Sequence, residues 1–402
     1  MQAAAQSTEV RLSPMLRLVH TADVHLGARY ADLGDRAAAQ RERQFTAFQA
    51  TVDMALAERV DAFLVAGDLF DSNVQPRRSV ERVAAELARL VEARIRTVVI
   101  PGTHDVYDRA SIYRAYDLPA MAGSRPSDDL VTVLTPERRA VRFESLDLAV
   151  HGPVFATKRA PHSPLHDLRL DTAGAATWHA GLIHGSIAIA GRTDGDEVVI
   201  TFDEISASGL DYLALGHWHS TQHGRAGRTT WAYAGAPEPV ALDQDRAGNA
   251  LLVTLDNGPD GRHVTVEERR VGRTRFERAE LDTATIESQP ALIASLARGA
   301  SPDLILDVRL VGVRPDHLDL VPDEVEAALA PSYLKVRVRD RSLAALTEGP
   351  LPSADTIAGA LIRDLELRIA EQEAVGDQAE AAELRDALRL GRLLLAGHEV
   401  AL

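Results

Sequence analysis

The sequence contains no cysteine, which excludes disulfides, thiolate zinc sites and cysteine nucleophiles together. Any metal must then be held by carboxylate, imidazole or neutral oxygen. The chain also lacks an apolar run long enough to span a bilayer, and its opening MQAAAQSTEVRLSP has neither a basic start nor an apolar core. A soluble, cytoplasmic protein is expected, with a disordered tail over 1–15. Cations are in deficit: 44 Lys and Arg against 59 Asp and Glu leave a net charge of −15, which argues against a general basic coat for nucleic acid. A local basic track, or a metal that meets phosphate directly, is compatible with that balance. No GxxxxGK[ST] phosphate loop is present, so any use of ATP has to come from a partner.

What the chain holds is a hydrophobic fraction of 46% in 402 residues, ample for cores in two or three domains. From Leu16 to about Asp245, apolar strand-like runs alternate with helical patterns, the mark of an α/β or α+β layered fold. Phe45, Phe48, Val52, Leu56 and Val60 recur at helical spacing, and Val80, Val83, Leu87 and Leu90 repeat the pattern. Strand, helix, strand, helix, strand implies right-handed crossovers in a mostly parallel sheet. Beyond Leu130 the short alternating runs VTVL, AVRF and LDLAVHG suggest antiparallel pairing instead. The expected divisions are a core over 16–245, a small α+β domain over 246–345 and a helical segment over 346–402. In that last segment Ile357, Leu361, Leu365 and Ile369 share one face, and Leu384, Leu388 and Leu395 follow, as in an antiparallel hairpin that packs on its own protein or docks a partner.

Within the core, AFLVAGDLFD is central: Ala62 to Ala66 suits a strand buried on both faces, and Gly67 lets the backbone turn and deliver Asp68 beyond its carboxyl end. That rim is where ligands collect in open α/β sheets. Four other apolar runs end in the same way. Leu16 to Val19 leads to HTADVHLG with Asp23 and His25, Thr97 to Ile100 to PGTHD with His104 and Asp105, Ala180 to Ile183 to His184, and Tyr212 to Leu215 to GHWH with His217 and His219. Mixed oxygen and nitrogen donors suit Mn, Fe or Zn rather than Ca or Mg alone. A carboxylate such as Asp68 can bridge two cations about 3.5–4 Å apart, and an imidazole that is not a ligand can protonate a leaving oxygen, a role suited to His104.

The order DxH, GDxxD, GNH(D/E), a His after a strand, then GHxH resembles the calcineurin-like metallophosphoesterases, over about Leu16 to Glu238. HTADVHLG, GDLFDS, PGTHD and GHWH look most like the DNA repair exonuclease branch, the nuclease subunits that pair with SMC-like ATPases in SbcCD-type complexes. The resemblance implies a metallophosphoesterase β-sandwich core flanked by helices, with the small α+β domain as a cap and the helical hairpin behind it. It also implies two divalent ions, Mn first, with Fe, Zn or Mg as alternatives. Asp23, His25, Asp68 and His219 would hold one, and Asp68, His184 and His217 the other, with Thr103 where the family has Asn. His104 would be the catalytic imidazole, with Asp105 supporting it and Asp71 orienting ligands from outside, although Asp71 could cap a segment and Asp105 close a turn. DNA, an SMC-like ATPase and a second copy in a homodimer would be the partners, with no membrane.

Lys158 and Arg159 in a loop, and Lys335, Arg337 and Arg339 on a strand, are candidate DNA contacts, although an exposed strand carries such charges anyway. His20, at the end of the first strand, could support the ligands from behind or simply be packed or hydrogen-bonded, whereas His151, His162, His166, His179 and His223 have no motif partner and read as structural or solvent-facing. The expected activity is Mn-dependent exo- or endonucleolytic hydrolysis of DNA. Hydrolysis of nucleotides or small phosphoesters is the second reading, and a scaffold of weak activity, supported by Thr103 alone, is the third. A hydroxyl is a shorter and weaker ligand than an amide oxygen. Wild type is therefore expected to need more Mn for half-maximal activity than Thr103→Asn, and identical Mn dependence of the two would remove the idea.

Overall fold

The computed structural model describes residues 15–160, 162–166, 168, 170, 176–189, 198–239, 244, 246–258, 261–315, 318–344 and 352–395. The expected tail, apart from residue 15, lies outside the described residues. The chain divides into two compact units between Phe276 and Glu277.

The first unit opens with β1 (Leu16–Thr21), α1 (Ala37–Ala57), β2 (Ala62–Ala66), α2 (Arg77–Glu92) and β3 (Arg96–Ile100). The short helices α3 (Ile112–Ala115) and α4 (Leu118–Met121) lead to β4 (Val131–Val133), β5 (Ala140–Phe143), β6 (Leu148–His151) and β7 (Trp178–His184). After β8 (Ser186–Ile187), β9 (Val199–Ile200) and α5 (Phe202–Ala207) come β10 (Tyr212–Gly216), β11 (Gln222–Ala226), β12 (Thr229–Tyr233), β13 (Asn249–Gly258) and β14 (Gly261–Arg270).

These strands form two six-stranded sheets. The first has the order β14-β13-β1-β2-β3-β4, parallel from β1 to β4, with β13 antiparallel to both β1 and β14. Residue parity explains why β2 is apolar throughout. Leu64 and Ala66 face Leu182, Tyr212 and Ala214 of the second sheet, while Phe63 and Val65 face Phe48 and Val52 of α1 and Leu87 and Leu90 of α2. The result is the expected β-sandwich flanked by helices, α1 and α2 on the outer face of the first sheet and Ile205 of α5 (Phe202–Ala207) on the outer face of the second.

The expectation of antiparallel pairing beyond Leu130 holds for AVRF against LDLAVHG (β5 with β6), but not for VTVL, whose β4 is parallel to β3, nor for the interior of the second sheet, β11-β12-β10-β7-β6-β5. Its interior strands β12, β10, β7 and β6 are parallel, and only the edges β5 and β11 are antiparallel. Parallel pairing puts the carboxyl ends of β7 and β10, and so His184 and Gly216, side by side. Between the sheets, His20 Nδ1 and the Tyr212 hydroxyl, both fully buried, lie 2.8 Å apart. Burial lowers His20 to about 3, so the ring is neutral.

The division falls within β15 (Arg275–Asp282), and the second unit continues with α6 (Gln289–Ala297), β16 (Leu304–Val311), β17 (Val313–Arg314), α7 (Pro322–Leu329), β18 (Lys335–Asp340) and β19 (Leu343–Ala344). Leu306, Val308, Leu310, Val336 and Val338 on one face of the β15-β16-β18 sheet pack with Leu292, Val325 and Leu329 of the helices. The helices α8 (Ile357–Val375) and α9 (Gln378–Leu395) pack on each other across a turn at Gly376, whose φ of 84° favours glycine.

Tyr212→Phe keeps the ring but strands the buried His20 Nδ1. It is expected to lower stability by about 1–3 kcal/mol in urea unfolding, and an unchanged midpoint would show that the pair contributes nothing net.

Candidate metal centre

Four of the expected ligands stand on left-handed backbone: Asp23 (φ 51°), His25 (φ 49°), Asp68 (φ 49°) and His217 (φ 102°). Such residues cost about 1–3 kcal/mol each and persist where surrounding bonds over-determine them. Here the loops after β1 and β2 are laced together. Asp23 N donates to Gly67 O (3.1 Å), His25 N to Asp68 O (2.9 Å), Leu26 N to Leu69 O (3.0 Å) and Asp71 N to Leu26 O (3.1 Å).

Asp68 is the hub. His184 Nε2 lies 3.1 Å and His25 Nε2 3.7 Å from its Oδ2, Thr103 Oγ1 donates to Oδ2 (3.3 Å), and His104 N donates to Oδ1 (2.7 Å). Asp23 accepts the His217 amide on both oxygens (3.0 and 3.1 Å) and lies 3.9 Å from His184 Nδ1. His25 Nε2 faces His219 Nε2 at 3.2 Å, and the rings of His184 and His217 meet edge-on at 5.3 Å. Donor atoms within 4.8 Å of one another come from Asp23, His25 and His219, from Asp23, Asp68 and His184, and from His25, Asp68 and His104. The structure thus brings donor atoms of Asp23, His25, Asp68, His184 and His219 together with His104 at the edge, while His217 meets the cluster through its backbone amide and ring edge and Thr103 through its hydrogen bond to Asp68.

These residues fit divalent cations. His184 Nδ1 donates to the Ala66 carbonyl (2.9 Å), and its buried Nε2 has no aligned hydrogen bond despite its nearness to Asp68. A Cβ at Gly102 would collide with Asp68 Oδ1. The electrostatics describe a site in which protons stand in for metal. Burial favours a neutral His184, but Asp68 and Asp23 outweigh it and raise the ring to about 10. His25 is also raised: burial opposes the charge, and Asp71, Asp68 and Asp23 support it. Burial raises Asp23 to about 6. Asp68 resists the same burial because His184 and His25 hold it well below the usual carboxylate range. Burial, helped by His25, lowers His219 to about 3, leaving a neutral ring.

Around the cluster, Asp71 Oδ1 meets His25 Nδ1 at 3.3 Å, and its backbone carbonyl accepts from His104 Nδ1 at 3.0 Å. A carbonyl can only accept, so His104 carries a proton on Nδ1 and presents Nε2, on a side chain that is 47% exposed. Asp105 is fully buried and takes three donors: Gly102 N, Phe70 N and the Tyr113 hydroxyl. It ties loops together and does not reach out to a substrate. Two contacts have no sequence signature: Gln244, whose amide meets His219 Nδ1, and Tyr113, which lies outside every motif. Lys158 and Arg159 are exposed between β6 and β7, while Lys335, Arg337 and Arg339 lie in the second unit on β18.

Residues 16–221 match the family model described as calcineurin-like phosphoesterase. The DNA double-strand break repair protein Mre11 of Aeropyrum pernix is 28% identical over 291 residues, which is 67% of this chain and 64% of that protein, so the chain spans just under two thirds of its length. Mre11 of Saccharolobus solfataricus is 31% identical over 320 residues, covering 78% of this chain and 71% of that protein. A subunit of the nuclease SbcCD of Rhodobacter capsulatus is 29% identical over 328 residues, covering 72% of this chain and 77% of that protein.

Metal and proton compete for the same atoms. Because His184 is raised to about 10, it is protonated at neutral pH and must release a proton to bind a cation, and His25 shifts in the same direction, so affinity is expected to fall as pH falls. Calorimetry of Mn binding in buffers of different ionisation enthalpy at neutral pH should show net proton release. Binding without any release would contradict this electrostatic picture.

Proposed function

The chain belongs to the calcineurin-like phosphoesterase family, and within it we propose a Mn-dependent phosphodiesterase that cleaves DNA. The observation that carries the reading is the convergence of carboxylates and imidazoles from five strand ends on buried Asp68. Asp23, His25, Asp68 and His219 would hold one ion, and Asp68, His184, His217 and Thr103 the other. When bound, the pair supplies polarised phosphoryl oxygens and an activated water. The chain's own contribution follows from the geometry. Asp71 fixes both His25 and His104, so that the free Nε2 of His104, when protonated, can pass its proton to the leaving oxygen.

DNA is favoured over small esters by the names of the relatives and by a basic strip in the second unit. On the face of the sheet opposite its core, the register pairs Asp307 with Arg337 and Arg309 with Arg339, beside Lys335 and Ile305. Buried Asp307 pairs with Arg337 (3.1 Å) and Arg339, and Arg278 stands 3.9 Å away, so guanidinium groups outnumber the carboxylate they surround. Such a strip suits a phosphate backbone. The exposed Ile357, Leu367 and Val375 of α8 suit docking of an SMC-like ATPase, and a homodimer working in the cytoplasm completes the proposal. Among the described residues, no helix is long and apolar enough to cross a membrane.

End-labelled single- and double-stranded DNA and bis(p-nitrophenyl) phosphate, each with Mn, test the reading directly. Cleavage of DNA is expected, with a loss of about 100-fold or more in His104→Ala and in Asp68→Ala. Turnover of the small ester alone would favour a nucleotide or small-phosphoester enzyme, and undiminished cleavage in either variant would overturn the site.

A further inference from the structure

We infer that Tyr113 is a positioning residue for the metal centre: its hydroxyl holds Asp105, and through Asp105 the two loops that carry Asp68 and His104. The inference rests on the metallophosphoesterase reading of that cluster. Asp105 Oδ1 accepts Gly102 N (2.7 Å) from the loop after β3, and its Oδ2 accepts Phe70 N (3.2 Å) from the loop after β2 and the Tyr113 hydroxyl (2.6 Å). The same two loops meet again where His104 N donates to Asp68 Oδ1 (2.7 Å). A fully buried carboxylate needs its donors, because each one lost leaves charge uncompensated in a medium that cannot solvate it. Of its donors here, the two amides are fixed by the backbone, and the hydroxyl is the one a side chain brings.

Tyr113 arrives on a docked element. It sits in α3, whose first amide, Ile112 N, donates to Asn73 Oδ1 (3.0 Å), while Asn73 Nδ2 donates to Val106 O (2.9 Å). Asn73 therefore fixes the helix start to both loops, and Tyr113 fixes its next residue to Asp105. Tyr113 also walls a cavity of about 470 Å³, bordered by Arg114, Ser124, Thr132 and Arg138. A small aromatic molecule has room there, which makes chemical rescue feasible.

The test uses the full chain with Tyr113→Phe and Tyr113→Ala, read by calorimetry of Mn binding and by kcat and KM on bis(p-nitrophenyl) phosphate. Circular dichroism checks that each variant folds. Tyr113→Phe is expected to weaken Mn binding about tenfold and lower kcat about tenfold with KM unchanged. Phenol should restore Tyr113→Ala and benzene should not. Wild-type Mn affinity and kcat in Tyr113→Phe, or equal rescue by phenol and benzene, would overturn the inference, because the ring and not the hydroxyl would then be what matters. A wild-type protein that binds Mn but hydrolyses neither DNA nor the small ester would instead count against the proposed function, and the Mn titration would still decide the role of Tyr113.

Discussion

One buried charge sets the terms for the molecule. Asp68 is almost without solvent contact, on left-handed backbone at the end of a strand that is itself buried on both faces. An isolated carboxylate there would cost several kcal/mol, so the fold must bring partners to it. They arrive from different places: His25 from beyond β1, Thr103 and the His104 amide from beyond β3, and His184 from the end of β7 in the opposite sheet. Compensating Asp68 therefore requires both sheets to present their carboxyl ends at one level. The same requirement creates a cluster of oxygen and nitrogen donors that a divalent cation can enter.

The sandwich is pinned at three heights to meet that requirement. At the top, His184 Nδ1 donates to Ala66 O across the sheets (2.9 Å). In the middle, His20 meets Tyr212, and at the far end Arg262 of β14 donates to Asp211, just before β10 (3.1 and 3.3 Å). Apolar packing between the sheets supplies most of the cohesion. It has no direction of its own, and the polar ties supply the alignment that the metal centre needs.

Much of this was legible because each ligand loop is written locally: an apolar run, then a polar residue, with Gly67 before Asp68 as the sharpest case. The helices were legible for the same reason, since Phe48 and Val52 on α1 and Leu87 and Leu90 on α2 lie where their period puts them. Pairing was harder. Nothing in LLVTLDN says that β13 will lie against β1, and the parallel run from β6 to β12 is invisible in strands too short to distinguish covered edges from solvated ones. Asp105 shows the remaining gap. Its motif suggested a place beside the chemistry, and only the folded chain reveals its three donors, Phe70 N, Gly102 N and the Tyr113 hydroxyl.

The most direct measurement is electron paramagnetic resonance of the protein titrated with Mn. A carboxylate shared between two ions couples their spins, so wild type at saturation should give the spectrum of a coupled pair, and Asp68→Ala should give isolated ions. Isolated ions in the saturated wild type, or a coupled pair that survives Asp68→Ala, would contradict the central place given to Asp68.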